Sequence, residues 1–260
     1  MHASKNYKDK VVLITGGTKG IGLGIAQGFL SAGAKVVVCG RQQVEQLPQV
    51  ILDGKTRQAH FIQADVKDID STAAMFSTIV KEYGTLDVLI NNAGGSPFAL
   101  ADKASPRFHE AILKLNLIAP LNVAQQANEI MQANNSGCII FIGSISAMRA
   151  SPGTSAYGAA KAGILSLVKS LAVEWAPKVR VVAVSPGLVH TENSHLHYGD
   201  EAGIAAVSAT IPAGRMAQPD DIANACLFLA SAEASYASGC NLLLNGGGEM
   251  PAFLSASETN

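Results

Sequence analysis

The sequence predicts an α/β fold in which helices cover both faces of a doubly wound, parallel sheet. Short apolar runs rich in β-branched residues alternate with helical patterns along the chain, and a glycine-rich turn, residues 16–22, follows the first run. Such runs are typical of buried parallel strands, and their alternation with helices favours crossover connections. No linker, change in composition or internal repeat divides the sequence, so we expect one domain over residues 1–260.

The composition limits the class of protein. The 260 residues are 48% apolar and 15% charged, which is typical of a globular chain with a large core. A net charge of −1 indicates no binding of nucleic acid or of an anionic membrane. The N-terminus has no apolar signal segment, and no uninterrupted apolar run approaches the roughly 18 residues of a membrane span. We therefore expect a cytoplasmic protein.

Seven strands are predicted, and the first runs directly into the glycine-rich turn. In chain order the strands cover residues 11–15, 35–39, 59–63, 86–90, 138–142, 178–184 and 241–244. Glycines in the turn let backbone N–H groups approach a pyrophosphate, and the positive end of the following helix favours its charge. Because the turn opens a predicted βαβ unit, it predicts a dinucleotide-binding site.

The end of the second strand indicates which dinucleotide is bound. An acid at this place would bind the 2′-hydroxyl of the adenosine ribose. Here Gly40 occupies this position and Arg41 follows it, while Lys19 lies within the glycine-rich turn. Two cations and no acid favour NADP(H) over NAD(H); the alternative is that both cations are solvated surface charges.

Polar or glycine-rich residues follow most of the predicted strands. The carboxyl ends of parallel strands meet at one edge of the sheet, where ligands bind, so we expect these residues to converge on one crevice. They are the glycine-rich turn, Asp65, Asn92, Ser144 and Pro186-Gly187. Between strands, a helical stretch covers about 105–133, with a break expected near Pro120. The apolar residues of 188–214 recur with no clear periodicity, and we expect a mobile lid with short helices there.

Tyr157 and Lys161 stand four residues apart on a predicted helix, so their side chains lie on one face. A cation beside a phenol lowers the tyrosine pKa from its ordinary value of about 10. We expect this shift to prepare Tyr157 for proton transfer near neutral pH. Ser144, thirteen residues before Tyr157, follows the fifth strand and is expected at the mouth of the sheet.

Together these motifs resemble the short-chain dehydrogenase/reductase family over residues 10–247. The motifs are Thr15-Gly16-x-x-x-Gly20-x-Gly22, Asn91-Asn92-Ala93-Gly94, Asn116, Ser144, Tyr157-x-x-x-Lys161 and Pro186-Gly187. The resemblance implies a Rossmann-like, seven-stranded parallel sheet in three α/β/α layers. The cofactor half would cover about 10–95 and the catalytic half about 96–248. It also implies an NAD(P)(H)-dependent oxidoreductase acting on CH–OH groups, usually a homotetramer, with a homodimer as the alternative.

The resemblance also implies roles for single residues. Tyr157 would exchange a proton with the substrate, Lys161 would lower its pKa and hold the nicotinamide ribose, and Ser144 would bind the substrate oxygen. Asn116 would anchor a water in a proton relay. The residues implied to bind the cofactor are Gly16, Thr18, Lys19, Gly20, Ile21, Gly22, Arg41, Asp65, Val66, Asn92, Ala93, Gly94, Tyr157, Lys161, Pro186, Gly187, Val189 and Thr191.

Three functions are weighed for this sequence. The first is NADPH-dependent reduction of a fairly apolar ketone or aldehyde, or the reverse oxidation of a secondary alcohol. The second is reduction of a 3-oxoacyl thioester, which is disfavoured because residues 131–135 and 171–174 lack the cations that would hold an acidic carrier protein. The third is a non-catalytic dinucleotide sensor. No metal site is expected: the histidines of the lid are loosely spaced, and the cysteines are predicted to be buried thiols.

Overall fold

The computed structural model describes residues 7–251, in which nine strands and eight α-helices follow one another. The strands are β1 Val11–Thr15, β2 Lys35–Gly40, β3 Gln49–Leu52, β4 Lys55–Gln58, β5 His60–Gln63, β6 Val88–Asn91, β7 Gly137–Ile142, β8 Val179–Pro186 and β9 Asn241–Leu244. The helices are α1 Gly20–Ser31, α2 Ile69–Tyr83, α3 Pro106–Leu113, α4 Ala119–Ala133, α5 Ser155–Glu174, α6 His195–Tyr198, α7 Glu201–Ala209 and α8 Pro219–Ala230.

Seven of the strands form one sheet in the order β5-β2-β1-β6-β7-β8-β9, and every pair is parallel. The chain moves outward from β1 through β2 to β5 and then crosses back to β6 on the other side of β1. This reversal leaves a crevice at the carboxyl ends of the strands, where open α/β sheets bind their ligands. The predicted doubly wound, seven-stranded parallel sheet is confirmed.

The two faces of the sheet carry separate cores. Alternate residues of a strand point to opposite faces, and in β1 the side chains of Val12 and Ile14 join one core while Leu13 joins the other. The first core is closed by α1 and α8, which contribute Phe29 and Leu229 among others. The second core is closed by α2, α4 and α5. The result is the predicted arrangement of three α/β/α layers.

A two-stranded antiparallel hairpin, β3–β4, was not predicted. It lies outside the main sheet, and every residue of β4 is exposed, so the apolar run that marks a buried strand is absent. The useful signal was the Asp53-Gly54 turn, whose φ angles of 52° and 70° are those of a tight hairpin turn. The third predicted strand, 59–63, corresponds to β5, which begins at His60.

The predicted helical stretch 105–133 is interrupted earlier than expected. A π-helical segment, Lys114–Ile118, separates α3 from α4. Pro120 lies in the first turn of α4, where its missing N–H costs little. The interruption therefore lies just before the proline, and it contains Asn116, one of the predicted site residues.

Helix α5 is long and apolar enough to cross a membrane by length and composition alone. It packs against β8, and Ile164, Val168 and Leu171 of this helix lie in the core. These are the properties of a core helix, which can be as long and as apolar as a membrane span.

Within residues 7–251 no group of His, Cys, Asp or Glu could hold a metal ion. Three of the four cysteines are buried as predicted, but Cys240 is exposed.

Candidate active site

A crevice of about 660 Å³ lies at the carboxyl edge of the sheet, where β1, β2, β5, β6, β7 and β8 end. Most of the predicted site residues line it. They are Gly16, Thr18, Lys19, Gly20, Ile21, Gly22, Arg41, Asp65, Val66, Asn92, Ala93, Gly94, Ser144, Tyr157, Lys161, Pro186, Gly187 and Thr191. Of the predicted residues within the described part of the chain, Asn116 and Val189 lie outside the lining.

The glycine-rich turn has a backbone that only glycine accommodates easily. Gly16 and Gly20 have φ angles of 64° and 50°, in the left-handed region. A Cβ at Gly22 would strike the carbonyl oxygen of Gly16 and lie 2.6 Å from Nδ2 of Asn92. The turn leads into the N-terminus of α1, whose Gly20 N–H donates a 3.0 Å hydrogen bond to a carboxylate oxygen of Glu192. This N–H therefore already binds an anion, which fits a site for a cofactor phosphate.

Asn92 connects β6 to the glycine-rich turn. Its Nδ2 donates to the carbonyl oxygens of Thr15 and Gly16 at 3.0 and 3.1 Å. In return, Oγ1 of Thr15 accepts hydrogen bonds from the N–H groups of Asn92 and Ala93 at 3.0 and 2.9 Å. These four bonds hold the floor of the crevice at the reversal point of the sheet.

The ammonium group of Lys161 lies over the ring of Tyr157. Its Nζ lies 5.5 Å from the centroid of the Tyr157 ring and donates a 2.7 Å hydrogen bond to the Ile142 carbonyl. Burial lowers the pKa of Lys161 to about 8. Burial also raises the pKa of Tyr157, against the opposite effect of its hydrogen bond with Ser144. The expectation that Lys161 lowers the Tyr157 pKa is thus wrong for the protein without cofactor, because desolvation dominates.

Ser144 follows β7 at the point where the strand leads into a short 3₁₀ helix, Ile145–Ala147. Its hydroxyl accepts a 3.1 Å hydrogen bond from the Ser146 N–H, which caps this helix. As a hydrogen-bonding neighbour, Ser144 also lowers the pKa of Tyr157, against the larger effect of burial. The strand end and the start of α5 thereby bring both residues to the crevice lining.

Asn116 is fully buried behind the crevice wall. Its Nδ2 donates to the carbonyls of Gly95 and Ile112, both at 2.9 Å, and its Oδ1 accepts from the Gly95 N–H at 2.8 Å. A Cβ on Gly94 would lie 2.7 Å from that Oδ1 and 3.6 Å from Nζ of Lys161. Asn116 therefore holds the 94–95 backbone beside Lys161. Its expected role in a water relay stays a prediction.

Comparisons with known proteins support one family. A family model described as enoyl-(acyl carrier protein) reductase matches residues 16–249. A 3alpha-hydroxysteroid dehydrogenase of Mediterraneibacter gnavus is 37% identical over 246 residues, which are 92% of this chain and 96% of the relative. The 3-oxoacyl-[acyl-carrier-protein] reductase of Escherichia coli K12 is 34% identical over 243 residues, 93% of this chain and 98% of the relative.

The chain belongs to the short-chain dehydrogenase/reductase family. The ligand-free structure of aldohexose dehydrogenase from Thermoplasma acidophilum matches it with a TM-score of 0.85 and 30% identity, over 98% of this chain and 97% of the other. The family consists of NAD(P)-dependent oxidoreductases that act on CH–OH groups. The resemblance and the enzyme class predicted from the motifs are confirmed.

Where the glycine-rich turn and β2 border the crevice of this short-chain dehydrogenase, the lining contains one more basic side chain than predicted. Lys19 and Arg41 both line the crevice, and within residues 7–251 neither forms an ion pair with an acid. Lys67 also lines it and was missed; its Nζ lies 3.7 Å from Oδ2 of Asp65. Its position two residues after Asp65 was the signal that could have identified it.

Three residues of the 188–214 segment line the crevice, and Val189 lies outside the lining. Val189 pairs with Ala217 in an isolated parallel bridge. The Ala217 N–H donates to the Leu188 carbonyl, and the His190 N–H donates to the Ala217 carbonyl. The N–H and carbonyl groups of Val189 itself therefore point away from Ala217. Thr191 lines the crevice, as do Glu192 and Asn193, which sequence reasoning missed. The expected short helices are present as α6 and α7.

Three large apolar side chains outside the crevice lining are exposed. Phe98 is 70% exposed and packs over Gly153, where a Cβ would strike its ring. Met148, in the loop that joins Ser144 to α5, and Leu196, in α6, are 45% and 70% exposed. Arg149 of the same loop forms a 2.7 Å ion pair with Glu249.

Proposed function

We propose that this short-chain dehydrogenase reduces a ketone or aldehyde with NADPH, or oxidises the corresponding secondary alcohol. The observation that carries the proposal is the meeting of Ser144, Tyr157 and Lys161 at one end of a crevice whose other end is the glycine-rich turn. This arrangement supports a proton donor and a hydrogen-bonding hydroxyl within reach of the nicotinamide of a dinucleotide held by that turn.

Each of these residues has a distinct role in the proposal. A bound nicotinamide cofactor supplies the hydride that adds to the carbonyl carbon. The Ser144 hydroxyl holds the carbonyl oxygen, and Tyr157 donates its proton to that oxygen as negative charge develops there. Lys161 in its charged form holds the ribose hydroxyls and offsets the charge of the phenolate that remains. Oxidation of the alcohol reverses the proton transfer.

The proposed preference for NADP(H) rests on charge. Lys19, Arg41 and Lys67 line the adenosine end of the crevice, and Gly40 stands where an acid would repel a 2′-phosphate. Lys19 and Arg41, which form no ion pair among the described residues, suit a phosphate with a charge near −2, and Lys67 adds a cation whose charge Asp65 partly offsets. A charge-reversed Arg41 variant tests the preference.

Two exposed apolar side chains, Met148 of the loop between Ser144 and Tyr157 and Leu196 of the 188–214 segment, support a fairly apolar substrate. The hydroxysteroid dehydrogenase relative acts on a compound of that kind by its name. Purified protein should be screened against cyclic and linear ketones, with the absorbance of NADPH as the readout. No turnover of any carbonyl compound by a protein that binds NADPH would favour the dinucleotide sensor instead.

A 3-oxoacyl thioester is the second candidate substrate, supported by the E. coli relative. The last turns of α4 and α5 contain no basic residue within these described helices, so an acidic carrier protein has little to bind there. Assays with acetoacetyl-CoA and with an acetoacetyl carrier protein separate the two candidates. Faster turnover of the carrier-bound thioester than of any simple ketone would reverse the order of preference.

We further propose that the chain forms one domain, acts in the cytoplasm and assembles as a homotetramer. Exposed apolar residues on the outer helices and on the edge strand support assembly; they include Ile118, Val173 and Leu243, exposed by 45%, 80% and 40%. Light scattering after size-exclusion chromatography measures the mass directly. A monomer of 26.9 kDa would reject the proposed assembly.

A further inference from the structure

Helix α1 begins without an acid of its own. Its N-cap is Lys19, which makes no side-chain capping bond to the described residues, and its first turn reads GIGL. By contrast, α2, α3 and α7 begin with side-chain caps from Asp68, Ser105 and Asp200. The anion at the start of α1 comes from 172 residues further along the chain, where Glu192 accepts the Gly20 hydrogen bond at 3.0 Å.

The segment that carries Glu192 lies directly against the glycine-rich turn. A Cβ built on Gly20 would lie 3.5 Å from the Thr191 methyl group and 3.9 Å from the other carboxylate oxygen of Glu192. Both Glu192 and Thr191 line the crevice. The carboxylate therefore lies inside the space that the proposed function assigns to the pyrophosphate, on an N–H group that would bind it.

One N–H group at a helix start cannot bind two anions at full strength, and two adjacent anions repel each other. We propose that Glu192 is an internal competitor for the cofactor pyrophosphate, which holds the 188–214 segment against the glycine-rich turn until the cofactor replaces it. This inference rests on the proposed function. Cofactor binding then breaks the contact between Glu192 and the Gly20 N–H.

The competition has a measurable thermodynamic consequence. Wild-type protein must lose a charge-assisted hydrogen bond before the pyrophosphate binds, whereas a variant without the carboxylate loses nothing. Glu192 is exposed, so its replacement leaves the core intact. In Glu192→Gln we expect the Kd for NADPH to fall by about three- to tenfold, the range of a partly exposed charged hydrogen bond.

Isothermal titration calorimetry tests this with two ligands. NADPH contains the pyrophosphate, and adenosine 2′-monophosphate keeps the 2′-phosphate and the adenine but lacks it. We expect tighter NADPH binding in Glu192→Gln and unchanged binding of adenosine 2′-monophosphate. The matched control is Glu201→Gln, which removes a charge from an exposed acid of the same segment and should leave both constants as in wild type.

An equal NADPH Kd in wild type and Glu192→Gln would overturn the proposal that Glu192 competes with the pyrophosphate. Turnover with NADPH in the same proteins would still support the proposed function. An equal gain in Glu201→Gln would also overturn the proposed competition, since general repulsion by the segment would then suffice. Absence of any dinucleotide binding would overturn both proposals.

Amide hydrogen exchange of Gly20 gives a readout that needs no turnover. In the protein without cofactor we expect this amide to exchange several times faster in Glu192→Ala than in wild type, because its acceptor is gone. NADPH should restore slow exchange in both proteins, since the pyrophosphate then accepts the bond. Equal exchange rates in the two cofactor-free proteins would show that the Glu192 contact does not form in solution, and would reject the proposal.

Discussion

The ammonium group of Lys161 lies over the ring of Tyr157, 5.5 Å from the ring centroid, and bonds the carbonyl oxygen of Ile142 rather than the phenol. In this arrangement desolvation acts on both groups in the neutral direction, lowering the pKa of Lys161 and raising that of Tyr157. Tyr157 is therefore neutral near pH 7, while Lys161, with a pKa of about 8, still carries its charge there. The proton transfer in the proposed reaction requires Lys161 in its charged form, which a bound ribose favours by accepting its hydrogen bonds.

Replacement of Tyr157 by phenylalanine should abolish the proposed proton transfer. We expect kcat for ketone reduction to fall by about 10²–10⁴-fold, the usual contribution of a general acid. The crevice keeps its shape, so the Kd for NADPH measured by calorimetry should change by less than about threefold. Tyr236→Phe, at a fully exposed tyrosine, is the control and should keep wild-type kcat. Turnover near the wild-type rate in Tyr157→Phe would remove this tyrosine from the mechanism.

Burial of Lys161 predicts a pH-dependent stability. Its folded pKa of about 8 lies below the ordinary value of 10.5, so the unfolded chain binds more protons between these two values. Stability therefore rises as pH increases through 8, where the buried charge is lost, and the gain is complete above the unfolded pKa. Between pH 7 and 9 the contribution is about 1 kcal/mol.

The buried cysteines obscure this gain in wild type alone, because burial raises the pKa of a thiol such as Cys39 from 9.0 to about 12, which lowers stability as pH rises toward and through 9. Urea unfolding of wild type and of Lys161→Met, each at pH 7 and pH 9, removes the effect of the thiols, because they contribute equally to the stability of both proteins. We expect wild type to gain about 1 kcal/mol relative to the variant over this range. A constant difference would contradict the depressed pKa of Lys161.

The main sheet and most of the site were predictable because their physical signals are local. A parallel strand buried on both faces needs an apolar run, and a phosphate-binding turn needs glycines. The sequence alone therefore predicts β1 and the turn after it. The exposed hairpin β3–β4 needs neither an apolar face nor a fixed composition, and its Asp53-Gly54 turn is a short signal. Exposed elements leave few constraints on the sequence.

Other features depend on contacts between distant residues, which a sequence pattern does not show. Glu192 reaches Gly20 across 172 positions, and Lys67 reaches the crevice through the path of the chain after β5. The electrostatics of Tyr157 and Lys161 were predicted from their spacing alone. Their depth in the crevice decides the sign of the pKa shifts, and depth is a property of the folded chain.

Charge reversal at Arg41 tests the cofactor preference. Aspartate at this position would repel a 2′-phosphate and could bind a 2′-hydroxyl. In Arg41→Asp we expect KM for NADPH to rise about tenfold or more, with KM for NADH unchanged or lower. Arg57→Asp, at an exposed arginine of the hairpin, controls for the change in net charge. A similar change in KM for both cofactors would reject recognition of the phosphate by Arg41.

Asn116 should support both stability and catalysis through the 94–95 backbone. In Asn116→Ala a buried amide is lost with its bonds to the N–H and carbonyl of Gly95 and to the Ile112 carbonyl, at a cost of about 2 kcal/mol in the free energy of unfolding. The loosened loop lies beside Lys161, so kcat should fall by more than KM for NADPH rises. Urea unfolding and steady-state kinetics measure the two effects.

The matched control for that variant is Asn128→Ala, which removes one 3.2 Å hydrogen bond, to Gln132, on a half-buried part of α4. We expect a loss below about 1 kcal/mol and unchanged kcat, because an isolated hydrogen bond there contributes little. If Asn116→Ala behaved like this control, the 94–95 backbone would hold its position without the buried amide. The hydrogen bond to Ile142 and the packing of α5 would then suffice to position Lys161. The prediction that Asn116 supports catalysis through the 94–95 backbone would be rejected.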